Sequence, residues 1–226
     1  MDGASDFTPR LDILPPPQRQ LWDELSSVPP EFVLYGGTAV ALHLGHRTSV
    51  DFDFFGDRTF DSAEIASSVP FMASAQITQR APDTLTGIVD RNGAVKVSFF
   101  GVPGIPRLVR PHRVRENGLR VASMLDLAGT KASVVQIRAE ARDYIDIDAM
   151  ITSGKIDLAS ALVAGIAIYG SQFNPEITLK ALSYFDDGDL RGLPEAVKSR
   201  LATAAREVDL DTLPDLNSLK HEWHGR

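Results

Sequence analysis

Strand signals in this chain stop at about residue 120, and the remaining hundred or so residues are almost wholly helical. Strands confined to one part of a chain must pair there and bury a face against the helices among them, so the expected fold is α/β (α+β). It comprises a mixed β-sheet core over residues 1–120, with an N-terminal packing helix, and a helical C-terminal region over 121–226 that completes a cleft. The packing helix is predicted over Gln18–Val28, after Pro15-Pro16-Pro17, with Leu21, Trp22 and Leu25 on one side and Pro29-Pro30 as its stop. Glu31–Tyr35 is a short apolar run ended by Gly36-Gly37, and Thr38–Leu44 reads as helix. In Val50–Phe55, residues Val50, Phe52 and Phe54 alternate with Asp51, Asp53 and Phe55, so one strand face is core and the other carries two acids. Asp61 caps a helix to Val69, and Ala75–Arg80, Thr84–Val89 and Ala94–Phe100 are strand candidates, with Asn92-Gly93 a hairpin signal. A proline- and glycine-rich loop over Gly101–Pro106 leads into a basic extended segment ending near Arg120. Ser123 with Asp126 forms a capping box opening a helix to about Arg138, and a second helix spans Arg142–Ile151. Asp157, Asn174-Pro175 and Leu193-Pro194 mark further helix starts, the prolines at the first helical position, and the polar tail after Asp209 is expected to fray.

The length of 226 residues suits one domain or a domain with an appendage. Zero cysteines exclude disulfides, thiol catalysis and cysteine-ligated metals. No apolar run approaches the ~20 residues that cross a bilayer, and the first twenty residues carry prolines and acids where a secretory signal has a basic start. A cytoplasmic protein without membrane contact is therefore expected. The net charge of -7 argues against a nucleic-acid binder over its whole surface. Yet nine basic residues and two acids lie between Arg91 and Arg138, a local +7 against -14 elsewhere. Such an asymmetry suits a polyanionic ligand held at one place, or a solvated basic face.

Two residues apart on a strand, Asp51 and Asp53 point the same way about 7 Å from each other, close enough to share a divalent cation or bridge two. Magnesium prefers such oxygen ligands together with substrate phosphates. The glycines at 36 and 37, between a strand and a helix, let backbone N–H groups approach a phosphate, and Thr38 adds a hydroxyl. A phosphate cradle followed by a carboxylate pair is what nucleotidyl or phosphoryl transfer requires, because that catalysis is mostly positioning and charge neutralisation. Taken singly, each feature also has a plain reading as a tight turn or a solvated strand face.

The run Gly36-Gly37-Thr38 through His43, His46-Arg47-Thr48-Ser49 and Asp51-Phe52-Asp53 resembles the signature of the AbiEii/AbiGii toxin family, within the DNA polymerase β-like nucleotidyltransferase superfamily. Gly93–Phe100 and Lys131–Asp148, with Arg138, Arg142-Asp143 and Asp146, are similar to its later motifs, so the resemblance spans roughly Phe32 to Ile151. It implies a mixed-sheet enzyme using a nucleoside triphosphate with Mg²⁺ or Mn²⁺. It also implies an RNA acceptor, tRNA in studied relatives, and a toxin paired with a cognate antitoxin or serving phage defence. By motif match, Gly36, Gly37 and Thr38 bind the triphosphate, Asp51 and Asp53 hold the metal, and Lys131 contacts phosphate. Asp143 or Asp146 supplies a late carboxylate, while Ser49 and Arg47 lie near phosphate or acceptor. Two positions depart from the wider pattern: Ser98 stands where a third strand carboxylate is usual, and Thr38 where serine is usual.

Residue arithmetic bears on the late motif independently. Asp143 and Asp146 share a helix face, as Arg138 and Arg142 do, which fits either a catalytic group or a structural salt-bridge set. His43 and His46 lack a third ligand at zinc spacing, and no serine sits in a hydrolase elbow. Two alternatives stand beside transfer to RNA: a small hydroxylated acceptor, and a catalytically inactive nucleotide- or partner-binding module, which Ser98 favours.

Overall fold

The computed structural model describes residues 6–224. The chain forms two compact units, Met1–Ile105 with Pro111–Ala122, and Pro106–Arg110 with Ser123–Arg226.

The first unit holds an eight-stranded sheet in the order β1-β7-β8-β2-β3-β6-β5-β4. Its strands are β1 (Asp6–Phe7), β2 (Phe32–Tyr35), β3 (Asp51–Gly56), β4 (Gln76–Ala81), β5 (Thr84–Asp90), β6 (Ala94–Gly101), β7 (His112–Val114) and β8 (Arg120–Val121). The sheet is mixed: β3 runs antiparallel to β2 and parallel to β6. Its helices are α1 (Pro16–Leu21), α2 (Gly36–Leu44), α3 (Ser62–Ser68) and α4 (Pro70–Ala73). The alternation on β3 is the predicted one, with Phe52 and Phe54 fully buried and Asp51, Asp53 and Phe55 half-buried on the other face. Register carries the apolar face sideways, for Phe54 lies between Leu34 and Phe99 and stacks on the Phe99 ring at 5.1 Å. The Asn92-Gly93 turn joins β5 to β6 as expected, and Arg91 beside it grips Glu24 through two 2.6 Å hydrogen bonds.

Several boundaries differ from expectation for local reasons. The first helix is α-helical only to Leu21 and tightens to a 3-10 turn over Trp22–Ser27, and Val28 turns extended ahead of Pro29. Val50 precedes β3 and is 49% exposed, so it is not core. Instead its carbonyl accepts from Gln18 Nε2 at 2.7 Å, bracing the entry to β3. The basic segment is not one extended piece. Gly118, at φ +73, turns it back so that β7 and β8 form a small antiparallel hairpin.

The second unit is helical: α5 (Met124–Val134), α6 (Ala141–Thr152), α7 (Leu158–Tyr169), α8 (Pro175–Ala181), α9 (Glu195–Glu207) and α10 (Leu216–His224). Ser123 caps α5 by accepting from the Asp126 N–H, but Asp126 does not complete a reciprocal box. Its buried carboxylate instead accepts from Ser123 Oγ and from the N–H groups of Leu108 and Val109, which ties 106–110 to this unit rather than to the sheet. Burial pushes that carboxyl up, against the pull of these donors. Asp157 and Asn174 cap their helices, while Pro194 falls one position before α9 rather than inside it. The tail is not frayed across its length, for α10 forms and buries Leu219. An ion pair between helices, unannounced by local pattern, joins Asp148 of α6 to Arg200 of α9 at 2.7 and 2.6 Å.

The most extensive helix pair is α5 with α7. A Cβ on Gly129 would lie 2.8 Å from the carbonyl carbon and Cβ of Ala164 and 2.9 Å from the Gly165 nitrogen. Backbone atoms cannot yield as a flexible side chain can, so Gly129→Val is expected to cost about 1–3 kcal/mol by overpacking. A urea denaturation midpoint unchanged from wild type would show that the two helices part freely.

Candidate active site

β2 delivers the chain into α2 without a connecting loop, so Gly36, Gly37 and Thr38 form the first helical turn rather than a separate bend. Those first N–H groups have no carbonyl one turn behind them, the arrangement that receives anionic oxygen. Antiparallel register sets Tyr35, the residue before this turn, beside Asp53. The carboxylate and the glycine turn are thereby neighbours. A Cβ on Gly36, which sits at φ +71, would come within 2.9 Å of Asp53 Oδ2.

Gly36→Ala consequently meets two penalties. Left-handed backbone costs an L-residue about 1–2 kcal/mol, and the new methyl displaces the Asp53 carboxylate. A misplacement near 1 Å costs on the order of 10²-fold in rate. The expected result is a modestly less stable protein with transfer reduced to about that extent, read by melting and by turnover of labelled nucleotide.

Thr38 and Ser49 are both buried and lie against each other, Oγ to Oγ at 2.7 Å. The Thr38 hydroxyl also donates to the Asp51 carbonyl. A hydroxyl has one proton and a carbonyl can only accept, so Ser49 donates to Thr38 and Thr38 to Asp51. The pair thus fixes the first residue of β3 from behind. Ser49 precedes the strand, so its place comes from this bond and not from strand alternation. Arg47 is half-buried and donates to the Thr48 carbonyl at 3.0 Å.

Register adds two residues to the Asp51–Asp53 face. Lys96 of β6 pairs with Asp51, and Ser98 pairs with Asp53. Lys96 is exposed, whereas Ser98 is 1% exposed. Neither placement was readable from spacing, because it depends on which strand lies next to β3.

In the second unit, Lys131 of α5 and Asp143 and Asp146 of α6 meet in a buried cluster. Lys131 Nζ lies 2.6 Å from Asp143 Oδ1 and 2.6 Å from Asp146 Oδ2. Arg138 belongs to neither helix, so it does not share a helix face with Arg142. From the connection it clamps Asp143 with Nε at 2.8 Å and Nη2 at 3.2 Å. Burial acts to raise the Asp143 carboxyl, but the Arg138 hydrogen bond and the Lys131 charge outweigh it and hold the group below the ordinary range. Arg142 points elsewhere, to Glu140 at 2.7 Å.

The basic region is less open than its sequence suggests. Arg91, Lys131 and Arg138 are all engaged in internal ion pairs. His43 bonds the Ala122 carbonyl at 2.9 Å and packs tilted against Phe7 and edge-on against His112, so His112 belongs to a ring cluster.

Oxygen donors at Asp51 and Asp53 suit a hard divalent cation. The Gly36 turn against Asp53 and the buried Ser98 hydroxyl beside it, which has no hydrogen-bond partner among the described residues, fit that reading of the site. No group of three or more His, Cys, Asp or Glu placed to hold a metal occurs among the described residues, so protein carboxylates alone do not complete such a shell.

A mixed sheet with paired carboxylates on its central strand beside a glycine-led helix start is the frame of a nucleotidyltransferase. The family model described as "Nucleotidyl transferase AbiEii toxin, Type IV TA system" matches residues 19–219. The chain belongs to this family of nucleotidyltransferase toxins. It is 30% identical over 159 residues to the uncharacterized protein aq_aa25 of Aquifex aeolicus (strain VF5), covering 70% of this chain and 75% of that one. Its fold is similar to that of MenT4, a nucleotidyltransferase toxin from Mycobacterium tuberculosis H37Rv, with a TM-score of 0.55 and 15% identity over 90% of this chain and 85% of the other. No helix among the described residues is long and apolar enough to cross a membrane.

Proposed function

We propose that this protein transfers a nucleotidyl group from a nucleoside triphosphate to an RNA acceptor, tRNA in the first instance, as a cytoplasmic toxin restrained by a cognate antitoxin. The observation that carries the reading is the shared half-buried face of Asp51 and Asp53, with the Gly36 turn against the second carboxylate. Asp51 and Asp53 would hold Mg²⁺ or Mn²⁺. When bound, the cation neutralises charge on the triphosphate oxygens. Gly36, Gly37 and Thr38 present first-turn N–H groups to the phosphates, and the Thr38 hydroxyl keeps Asp51 in place. Arg47 and Ser49 border this region. In the reaction an acceptor hydroxyl oxygen bonds to the α-phosphorus and gives its proton to solvent, while the bond to the β-phosphate breaks and pyrophosphate leaves. By motif match, Lys131 serves the phosphates, and Asp143 or Asp146 supplies the late carboxylate; both carboxylates lie 2.6 Å from the Lys131 ammonium.

A small hydroxylated acceptor is the second reading, favoured by three basic residues that are already engaged in ion pairs within the protein. Incubation with each labelled triphosphate and a divalent cation, offered either total tRNA or a panel of hydroxylated metabolites, separates the two. Label on tRNA from wild type and none from Asp53→Ala is expected. Label on a metabolite alone moves the assignment to the second reading. Triphosphate binding without turnover makes the chain a binding module and overturns the proposal.

A further inference from the structure

Ser98 carries a hydroxyl that is buried and has no hydrogen-bond partner among the described residues. Leaving a buried hydroxyl unpaired is unfavourable, and native interiors hold few such groups without a use. Its flanks on β6, Val97 and Phe99, are fully buried and belong to the apolar face of the sheet, so alternation turns Ser98 to the other face. There it lies between Asp53 of β3 and Thr86 of β5, and one pair further along the same face Asp51 stands beside Lys96. Neighbouring strands are about 4.8 Å apart, so a short side chain at this position reaches a group bound by Asp53 directly or through one water.

We propose that Ser98 is the third donor of the cation site, a neutral hydroxyl acting beside the carboxylates of Asp51 and Asp53. The inference rests on the metal reading of that site and adds a consequence to it. Two carboxylates and a hydroxyl present one negative charge fewer than three carboxylates, so the protein alone holds a divalent cation weakly. Triphosphate oxygens supply the missing charge. Cation and triphosphate therefore bind with positive coupling, each raising the affinity for the other by the same factor.

The full chain, Ser98→Ala, Ser98→Asp and Asp51→Asn are compared by thermal unfolding and by Mn²⁺ titration read out by electron paramagnetic resonance. Titrations are run with Mn²⁺ alone and with inorganic triphosphate, corrected for Mn²⁺ bound by free triphosphate. Ser98→Ala is expected to leave the metal-free melting temperature unchanged or raised, since an unpaired hydroxyl is removed. Its Mn²⁺ affinity in triphosphate should fall about tenfold, the scale of lost support around a metal. Ser98→Asp is expected to melt lower without metal, because it adds a like charge, and to bind Mn²⁺ without triphosphate about tenfold or more tighter than wild type. Unchanged Mn²⁺ affinity in Ser98→Ala overturns the proposal, whether or not its melting temperature moves. Should Ser98→Asp fail to fold, the alanine variant decides alone. Equal Mn²⁺ binding by wild type and Asp51→Asn overturns the metal reading itself, an outcome distinct from failure at Ser98 only.

Discussion

Asp51→Asn lowers nucleotide transfer by on the order of 10³-fold while the protein melts as wild type does. The expectation comes from the chemistry that the substitution removes. Asparagine keeps the shape of aspartate and one carbonyl oxygen, so the Thr38 bond to the backbone of residue 51 and the register of β3 with β6 persist. What disappears is one of two negative charges on the half-buried face. Transfer of a nucleotidyl group depends on positioning and charge neutralisation more than on covalent participation by the protein, and loss of a single preorganised electrostatic contact commonly costs 10²–10³-fold. Removing a charged ligand of the cation weakens both functions together. Turnover of labelled nucleotide checks the prediction, with growth arrest on expression as a second readout. A variant keeping a tenth of wild-type activity would show that residue 51 does not hold the cation.

The part of this site legible in the sequence was the part written in local spacing. Asp51, Phe52, Asp53 and Phe54 declare a strand with one apolar and one acidic face because side chains alternate with period two, and the structure keeps that division. Gly36 and Gly37 declare a close backbone approach, but not to what. Their neighbour Asp53 is set by β2 pairing antiparallel with β3, a relation between segments that no local pattern encodes. For the same reason Ser98 reads from sequence only as an absent carboxylate, whereas register makes it the residue beside Asp53. Ser49 and Thr38 show the converse. Their hydroxyls look available for phosphate, yet eleven positions apart in the chain they meet in the interior and secure β3. In the helical unit, 3.6-residue arithmetic placed Asp143 and Asp146 together. The entry of Lys131 from α5, the clamp by Arg138 and the Asp148–Arg200 pair depend on packing between helices.

Lys131→Met is expected to destabilise the helical unit by about 3 kcal/mol, the lower end of the cost of breaking a buried ion pair by removing one partner. The lower end applies because Asp143 keeps Arg138, whose side chain is 43% exposed and rearranges at little cost. The paired variant Lys131→Met with Asp146→Asn should recover part of the loss, since it removes a buried negative charge along with the positive one. Acid adds an independent signature. The Asp143 carboxyl is held below its ordinary value near 3.8, so its contribution to stability is complete above that value and disappears as pH falls through the folded-state value beneath it. Without the Lys131 charge the depression lessens, so the acid-induced loss should be smaller and should be complete at a higher pH than in wild type. Activity separates the structural role from the proposed contact with phosphate. Assayed well below its melting temperature, where the variant is folded, Lys131→Met should still lose transfer if the ammonium meets the triphosphate. Wild-type turnover per folded molecule would instead confine Lys131 to holding α5 and α6 together.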